Sequence, residues 1–158
     1  DKDAVTASML IAEMAAYYRT KGMTLYDAMQ TMYEKYGFYT EQTISITMPG
    51  VAGLERMKEL MAELRQTPLT EVGGHKVEYI RDYQSGVRTQ VSDGKTETME
   101  LSGQNVLYYE LEGGTSFIIR PSGTEPKVKV YIMAKADSKA ASDEKVAKLA
   151  AAAQEIVK

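Results

Sequence analysis

The chain has 158 residues, 44% hydrophobic and 26% charged, with a formal net charge of −3 and a pI near 5.3. That length supports one core, or one domain plus a piece of another, and the acidic balance argues against a general affinity for nucleic acid or anionic membrane. No apolar run approaches the roughly 18 residues that span a bilayer, the opening residues lack a signal-peptide pattern, and the absence of cysteine excludes disulfides and thiolate metal sites and fits a reducing, cytoplasmic setting.

The opening segment "DKDAVTASMLIAEMAAYYRTKG" predicts a helix capped by Asp3 and closed by Gly22. Met9, Leu10, Ile11, Met14, Ala15 and Ala16 make it apolar almost all round, the pattern of a helix buried on several sides. "TLYDAMQTMYEKYG" restarts with Thr24 as N-cap and Asp27 three residues on, places Leu25, Met29, Met32 and Tyr36 on one face, and ends at Gly37. Two helices alone cannot enclose such faces, so residues 1–37 are expected to be the tail of a larger α/β domain, with residues 38–158 forming a second unit.

From Tyr39 the pattern changes. "TISITM" alternates Ile44, Ile46 and Met48 with Thr43, Ser45 and Thr47, a half-buried strand broken by Pro49 and Gly50. Leu54, Met57, Leu60, Met61 and Leu64 then recur at helical spacing up to Pro68. "HKVEYIRDY" predicts a second strand. Residues 84–104 are polar and rich in Gly, Ser and Thr, and read as an irregular excursion with one short strand at most. "NVLYYEL", "SFIIR" and "KVKVYIMA" are three further strands, followed by a helix capped by Ser142 or Asp143 with a stripe of Val146, Leu149, Ala150, Ala153 and Val157. This order predicts an α+β fold: an antiparallel or mixed sheet with helices packed on one face. The ten methionines fall mostly at helix-interior spacings and are expected in the core.

The stretch "FIIRPSGTEPKVKVYI" carries the candidate chemistry. Arg120 ends a strand, Pro121 fixes the turn, and Gly123 at positive φ would let successive N–H groups point into one anion-binding concavity. Ser122 and Thr124 add hydroxyl donors, and the Arg120 guanidinium offers a planar fork suited to phosphate oxygens. Alternation places Lys129 on the same side, since Val128 and Val130 would face the core. The competing reading is a tight turn, because Pro, Ser, Gly and Thr also favour ordinary turns. His75, the only histidine, is expected to be structural, and Glu55, Glu59 and Glu63 beside Arg56 and Lys58 read as a solvated helix face. Asp1 and Asp3 around Lys2 are too few for a metal site.

"RPSGTEPKVKVY" resembles the phosphate-binding loop in the last domain of the α-D-phosphohexomutases, the phosphoglucomutase and phosphomannomutase superfamily. "DKDAVTASMLIAEMAAYY" is similar to the closing helix of that family's third domain, and "EYIRDYQSG" with "NVLYYELEGGTSFIIRPSGTEPK" looks closest to the longer phosphoglucomutase and phosphopentomutase-like branch. The resemblance implies a C-terminal piece of an enzyme that moves a phosphoryl group between C1 and C6 of a hexose through a sugar bisphosphate. It assigns phosphate contacts to Arg120, Ser122, Gly123 and Thr124. Lys129 stands where many members carry an arginine, and Lys2 matches a lysine near the sugar site. The implied partners are phosphosugars of the glucose 1-phosphate, glucose 6-phosphate and glucose 1,6-bisphosphate class, together with the upstream mutase domains. The family's phosphoserine loop and its Mg²⁺-binding aspartate loop are absent from the sequence, so no catalytic residue and no metal site is expected in this chain; Mg²⁺ and the bisphosphate are implied for a full-length enzyme. Two alternatives from other classes are an RNA- or phosphodiester-binding α+β module and a non-catalytic interaction domain.

Overall fold

The computed structural model describes residues 2–157, which form two compact units dividing at Phe38 and Tyr39. The first holds α1 (Ala4–Thr20) and α2 (Leu25–Tyr36). Asp3 caps α1, its carboxylate accepting from the Thr6 N–H at 3.0 Å and from the Thr6 hydroxyl at 2.7 Å. Thr24 and Asp27 form a reciprocal capping box at the start of α2, and the Gly37 N–H closes that helix on the Tyr33 carbonyl. Asp1 lies outside the described residues.

The apolar faces of these two helices are left uncovered. No residue of α1 is buried, and Val5, Met9, Leu10, Ile11, Met14 and Tyr17 are all exposed. On α2 only Ala28 is buried, while Met29, Met32 and Tyr36 are open. Within this unit α1 and α2 pack on each other alone, and two helices have too little surface to cover all-round apolar faces.

The second unit is an α+β layer. Its eight strands are β1 (Phe38–Thr47), β2 (Glu71–Val72), β3 (His75–Asp82), β4 (Val87–Gln90), β5 (Thr96–Thr98), β6 (Leu107–Leu111), β7 (Thr115–Pro121) and β8 (Lys127–Ala136). They run in the order β1-β8-β7-β6-β3-β4-β5, with β2 attached to β3. Every ladder from β2 through β8 is antiparallel. Alternation sets one face inward: Leu107, Tyr109 and Leu111 on β6, Phe117 and Ile119 on β7, and Val128, Val130, Ile132 and Ala134 on β8 are all buried. That face is covered by α3 (Gly50–Gln66), through Met57, Leu60, Met61 and Leu64, and by α4 (Lys139–Ile156), through Val146, Leu149 and Ala153, with Val157 just beyond its end. Helices therefore lie on one face, as the strand and helix periodicities require. Ile44 and Ile46 of β1 pack at the margin of the same core.

Three features differ from the sequence reading. α4 begins at Lys139, several residues before Ser142, because Ser138 supplies the cap and accepts from the Ala141 N–H. Ser142 is fully buried and bonds to the Thr40 hydroxyl at 2.8 Å; Asp143 accepts from Thr40 and Lys139 and so ties β1 to the helix. Residues 84–104 are more regular than their composition suggests, since β4 and β5 form there. Arg88 fixes that pair: it stacks on Tyr79 at 3.7 Å, bridges to Glu97 on β5 and reaches Glu110 on β6. The methionines are only partly in the core: Met48, Met57 and Met61 are buried, whereas Met9, Met14, Met29, Met32 and Met133 are exposed. Among the described residues no helix is long and apolar enough to cross a membrane.

Candidate functional site

Strands β7 and β8 meet in a hairpin whose register pairs Arg120 with Lys129 and Pro121 with Val128. Because Val128 and Val130 are fully buried, Arg120 and Lys129 project from the opposite face, the one the helices leave open. Directly opposed residues on one face have Cβ atoms about 5 Å apart, and like charges so placed repel. Neither side chain has a hydrogen-bond or ion-pair partner among the described residues. The contrast with the remaining arginines of the second unit is informative: Arg56, Arg65, Arg81 and Arg88 each engage a carboxylate. Arg120 alone is left without a counter-charge.

The loop between the strands is closed at its base by the Ser122 N–H donating to the Lys127 carbonyl at 2.9 Å. Inside it the Ser122 hydroxyl oxygen accepts from the amides of Thr124 at 3.4 Å and Glu125 at 3.3 Å. These bonds are long, and they aim two backbone donors at one point. Ser122 was expected as a hydroxyl donor; here its oxygen acts as acceptor, and its proton remains to be given elsewhere. Gly123 also departs from expectation, since its φ is not in the left-handed region that ten other glycines occupy. A Cβ added at Gly123 would meet nothing within 4 Å. Neither backbone conformation nor packing explains a glycine there.

Glu125 places a carboxylate beside this cationic spot, and Lys127 neutralises it in an ion pair at 2.8 Å. Thr124 is exposed at the loop tip. Lys2 lies in the first unit, exposed just before α1. His75 sits 3.7 Å from Glu112, away from the loop in the sheet order. Among the described residues no group of three His, Asp or Glu side chains comes together to hold a metal ion.

The antiparallel sheet, covered by helices on one face and carrying an unpaired arginine and lysine under a Ser-Gly-Thr loop on the other, defines an α+β domain. The family model "Phosphoglucomutase/phosphomannomutase, C-terminal domain" matches residues 61–155, and the chain belongs to that family. It is 35% identical over 136 residues to a phosphoglucomutase of Staphylococcus aureus, a match covering 85% of this chain and 24% of that protein. With the phosphoglucomutase of Staphylococcus saprophyticus the identity is 32% over 132 residues, covering 83% and 24%. The chain therefore spans about a quarter of the length of the curated relatives it matches. Among solved structures, the open form of the exocytosis-sensitive phosphoprotein parafusin, a phosphoglucomutase from Paramecium, superposes with a TM-score of 0.51 at 14% identity. That superposition covers 89% of this chain and 24% of the other, and shows a shared fold.

Proposed function

We propose that residues 38–158 are the phosphate-holding domain of a phosphoglucomutase-type enzyme, in which a phosphoryl group moves between C1 and C6 of a hexose through a bisphosphate. In this reading Arg120, Ser122, Gly123, Thr124 and Lys129 grip the phosphate that is not reacting. Lys2 contacts the sugar, and residues 1–37 are the closing helices of the preceding domain. The exposed apolar faces of α1 and α2 support that last assignment, because their composition suits an interior that the two helices do not themselves provide. The nucleophile and the Mg²⁺ ligands belong to parts of a full-length cytoplasmic enzyme outside this sequence, and the chain alone is inactive.

The observation that carries the reading is the unpaired Arg120–Lys129 couple at the base of the loop. A phosphate dianion placed there would turn a repulsion into two attractions. It would also offer oxygens to the amides that Ser122 now holds at long range and to the hydroxyl protons of Ser122 and Thr124. Such a site recognises the phosphate and is indifferent to which sugar carbon bears it, which is what a mutase that reorients its substrate needs.

The test is a titration of the ¹⁵N-labelled chain with glucose 1,6-bisphosphate. The Ser122, Gly123 and Thr124 amides should shift saturably, with an affinity on the order of millimolar for a single phosphate contact. Arg120→Ala should abolish the response. Unmoved loop amides, or shifts that survive in Arg120→Ala, would refute the assignment. Steeply salt-dependent RNA binding at the same amides would favour the phosphodiester-binding alternative.

A further inference from the structure

The loop is anchored at one point outside its own hairpin. Met48, the residue following β1, donates its backbone N–H to the Pro126 carbonyl at 2.8 Å. Among the described residues this is the one backbone hydrogen bond that reaches residues 122–126 from beyond β7 and β8. Pro126 precedes Lys127, whose carbonyl holds the Ser122 amide, so the Met48 bond grips the end of the loop that sets its closure.

The backbone carrying that donor is wedged. Gly53, buried near the start of α3, lies against the Met48 peptide so closely that a Cβ there would stand 1.8 Å from the Met48 carbonyl oxygen. The same Cβ would stand 2.3 Å from the Met48 carbonyl carbon and 2.9 Å from its Cβ. Nothing in the local conformation requires glycine: Gly53 has no positive φ and sits inside a helix, where glycine is entropically unfavourable. Nor can Met48 swing aside without loss, because its side chain belongs to the buried core. A side chain at position 53 must therefore push on the Met48 carbonyl and Cβ, which share the Met48 Cα with the N–H that holds Pro126.

We infer that Gly53 is a positioning residue for the loop: the missing side chain lets α3 start directly against Met48, and this contact fixes the anchor that shapes residues 122–126. The inference rests on the reading of the loop as a phosphate site and adds a residue in another element on which that site depends. It also gives the junction between β1 and α3 a role that its apolar composition did not suggest.

The experiment compares Gly53→Ala with Leu64→Ala, which removes buried volume at the other end of α3. In ligand-free ¹⁵N spectra Gly53→Ala should shift the amides of Ser122, Thr124, Glu125 and Lys127 and accelerate exchange of the Met48 amide. Its affinity for inorganic phosphate should fall about tenfold, equivalent to about 1.4 kcal/mol. Leu64→Ala should lower the melting temperature without moving the loop or the affinity. An unperturbed loop in Gly53→Ala, or equal loop shifts in both variants, would overturn the inference. Should Gly53→Ala not fold, the unsubstituted chain decides: under phosphate concentrations that shift the loop amides, exchange at Met48 should slow while Thr67, at the far end of α3, is unaffected, and loop shifts with unchanged exchange at Met48 would overturn the inference. The two readings fail separately, since absent phosphate shifts in the unsubstituted chain would count against the phosphate site, whereas the ligand-free loop shifts bear on Gly53 alone.

Discussion

Arg120 and Lys129 face each other across two strands with nothing between them, and the physics of that couple sets the expected mutant behaviour. Arg120→Ala removes a repulsion from the free protein, so the melting temperature should hold or rise slightly while phosphate binding is lost. Charge-assisted hydrogen bonds contribute about 1.5–3 kcal/mol each, which corresponds to a loss of roughly tenfold to a hundredfold in affinity. Arg120→Lys keeps the charge and loses the bidentate fork, and titration should place it between the two. Gly123→Ala is the sharper probe: with open space around it and no positive φ, alanine should leave thermal stability unchanged, and calorimetric titration should show weaker phosphate binding. A fall in melting temperature with intact binding would instead make Gly123 structural. In the core, the Tyr109 hydroxyl is buried without a hydrogen-bond partner, and burial pushes its pKa up. Tyr109→Phe should therefore match or exceed the parent in stability by up to about 1 kcal/mol in urea unfolding.

The elements show how far the sequence could be read. Strands β6, β7 and β8 and helix α3 follow directly from alternation and helical spacing, because each has one buried face and therefore one dominant period. β4 and β5 were hidden: every residue of β5 is exposed, so it carries no apolar period, and its partner is held by Arg88 through contacts to residues distant in sequence. The start of α4 was missed because Ser138, Ser142 and Asp143 are all competent caps, and only packing decides that Ser142 points inward. Ser138→Ala should accordingly destabilise the domain by about 1 kcal/mol, the usual worth of an N-cap; Asp143→Ala, at an exposed carboxylate, should have a smaller effect. At the candidate site, Arg120 and Lys129 were legible as residues and their alternation as geometry. The conformation of Gly123 and the acceptor role of Ser122 were not, since turn composition admits several backbone paths.

Across the whole molecule, acid should act through carboxylates held below their usual range, of which Asp82 and Glu110, held by arginines, are the partly buried ones. Burial would raise the Asp82 carboxyl, but hydrogen bonds from Arg65 and the Gln84 amide outweigh it and hold the group below its usual 3.8. Burial acts likewise on Glu110, and Arg88 and Arg81 hold it below 4.5. A depressed folded pKa contributes stability that is fully present above the unfolded value and disappears as pH falls through the folded one. Unfolding midpoints should thus be flat near neutrality and drop once pH passes below about 4.5; Glu110→Gln should flatten part of that drop. The two units invite a second comparison. Since the core cluster draws on residues 44–157 alone, the piece 39–158 should melt with nearly the same midpoint as the full chain, and the exposed apolar faces of residues 4–36 should make the longer piece the one that self-associates. Finally, β7 and β8 each have strands on both sides, so the loop hangs from interior rungs of the ladder and not from an edge that frays. Binding competence and global folding should then be a single cooperative property. In rising urea the phosphate affinity should stay level up to the unfolding transition and vanish with it, with no intermediate that is folded yet unable to bind.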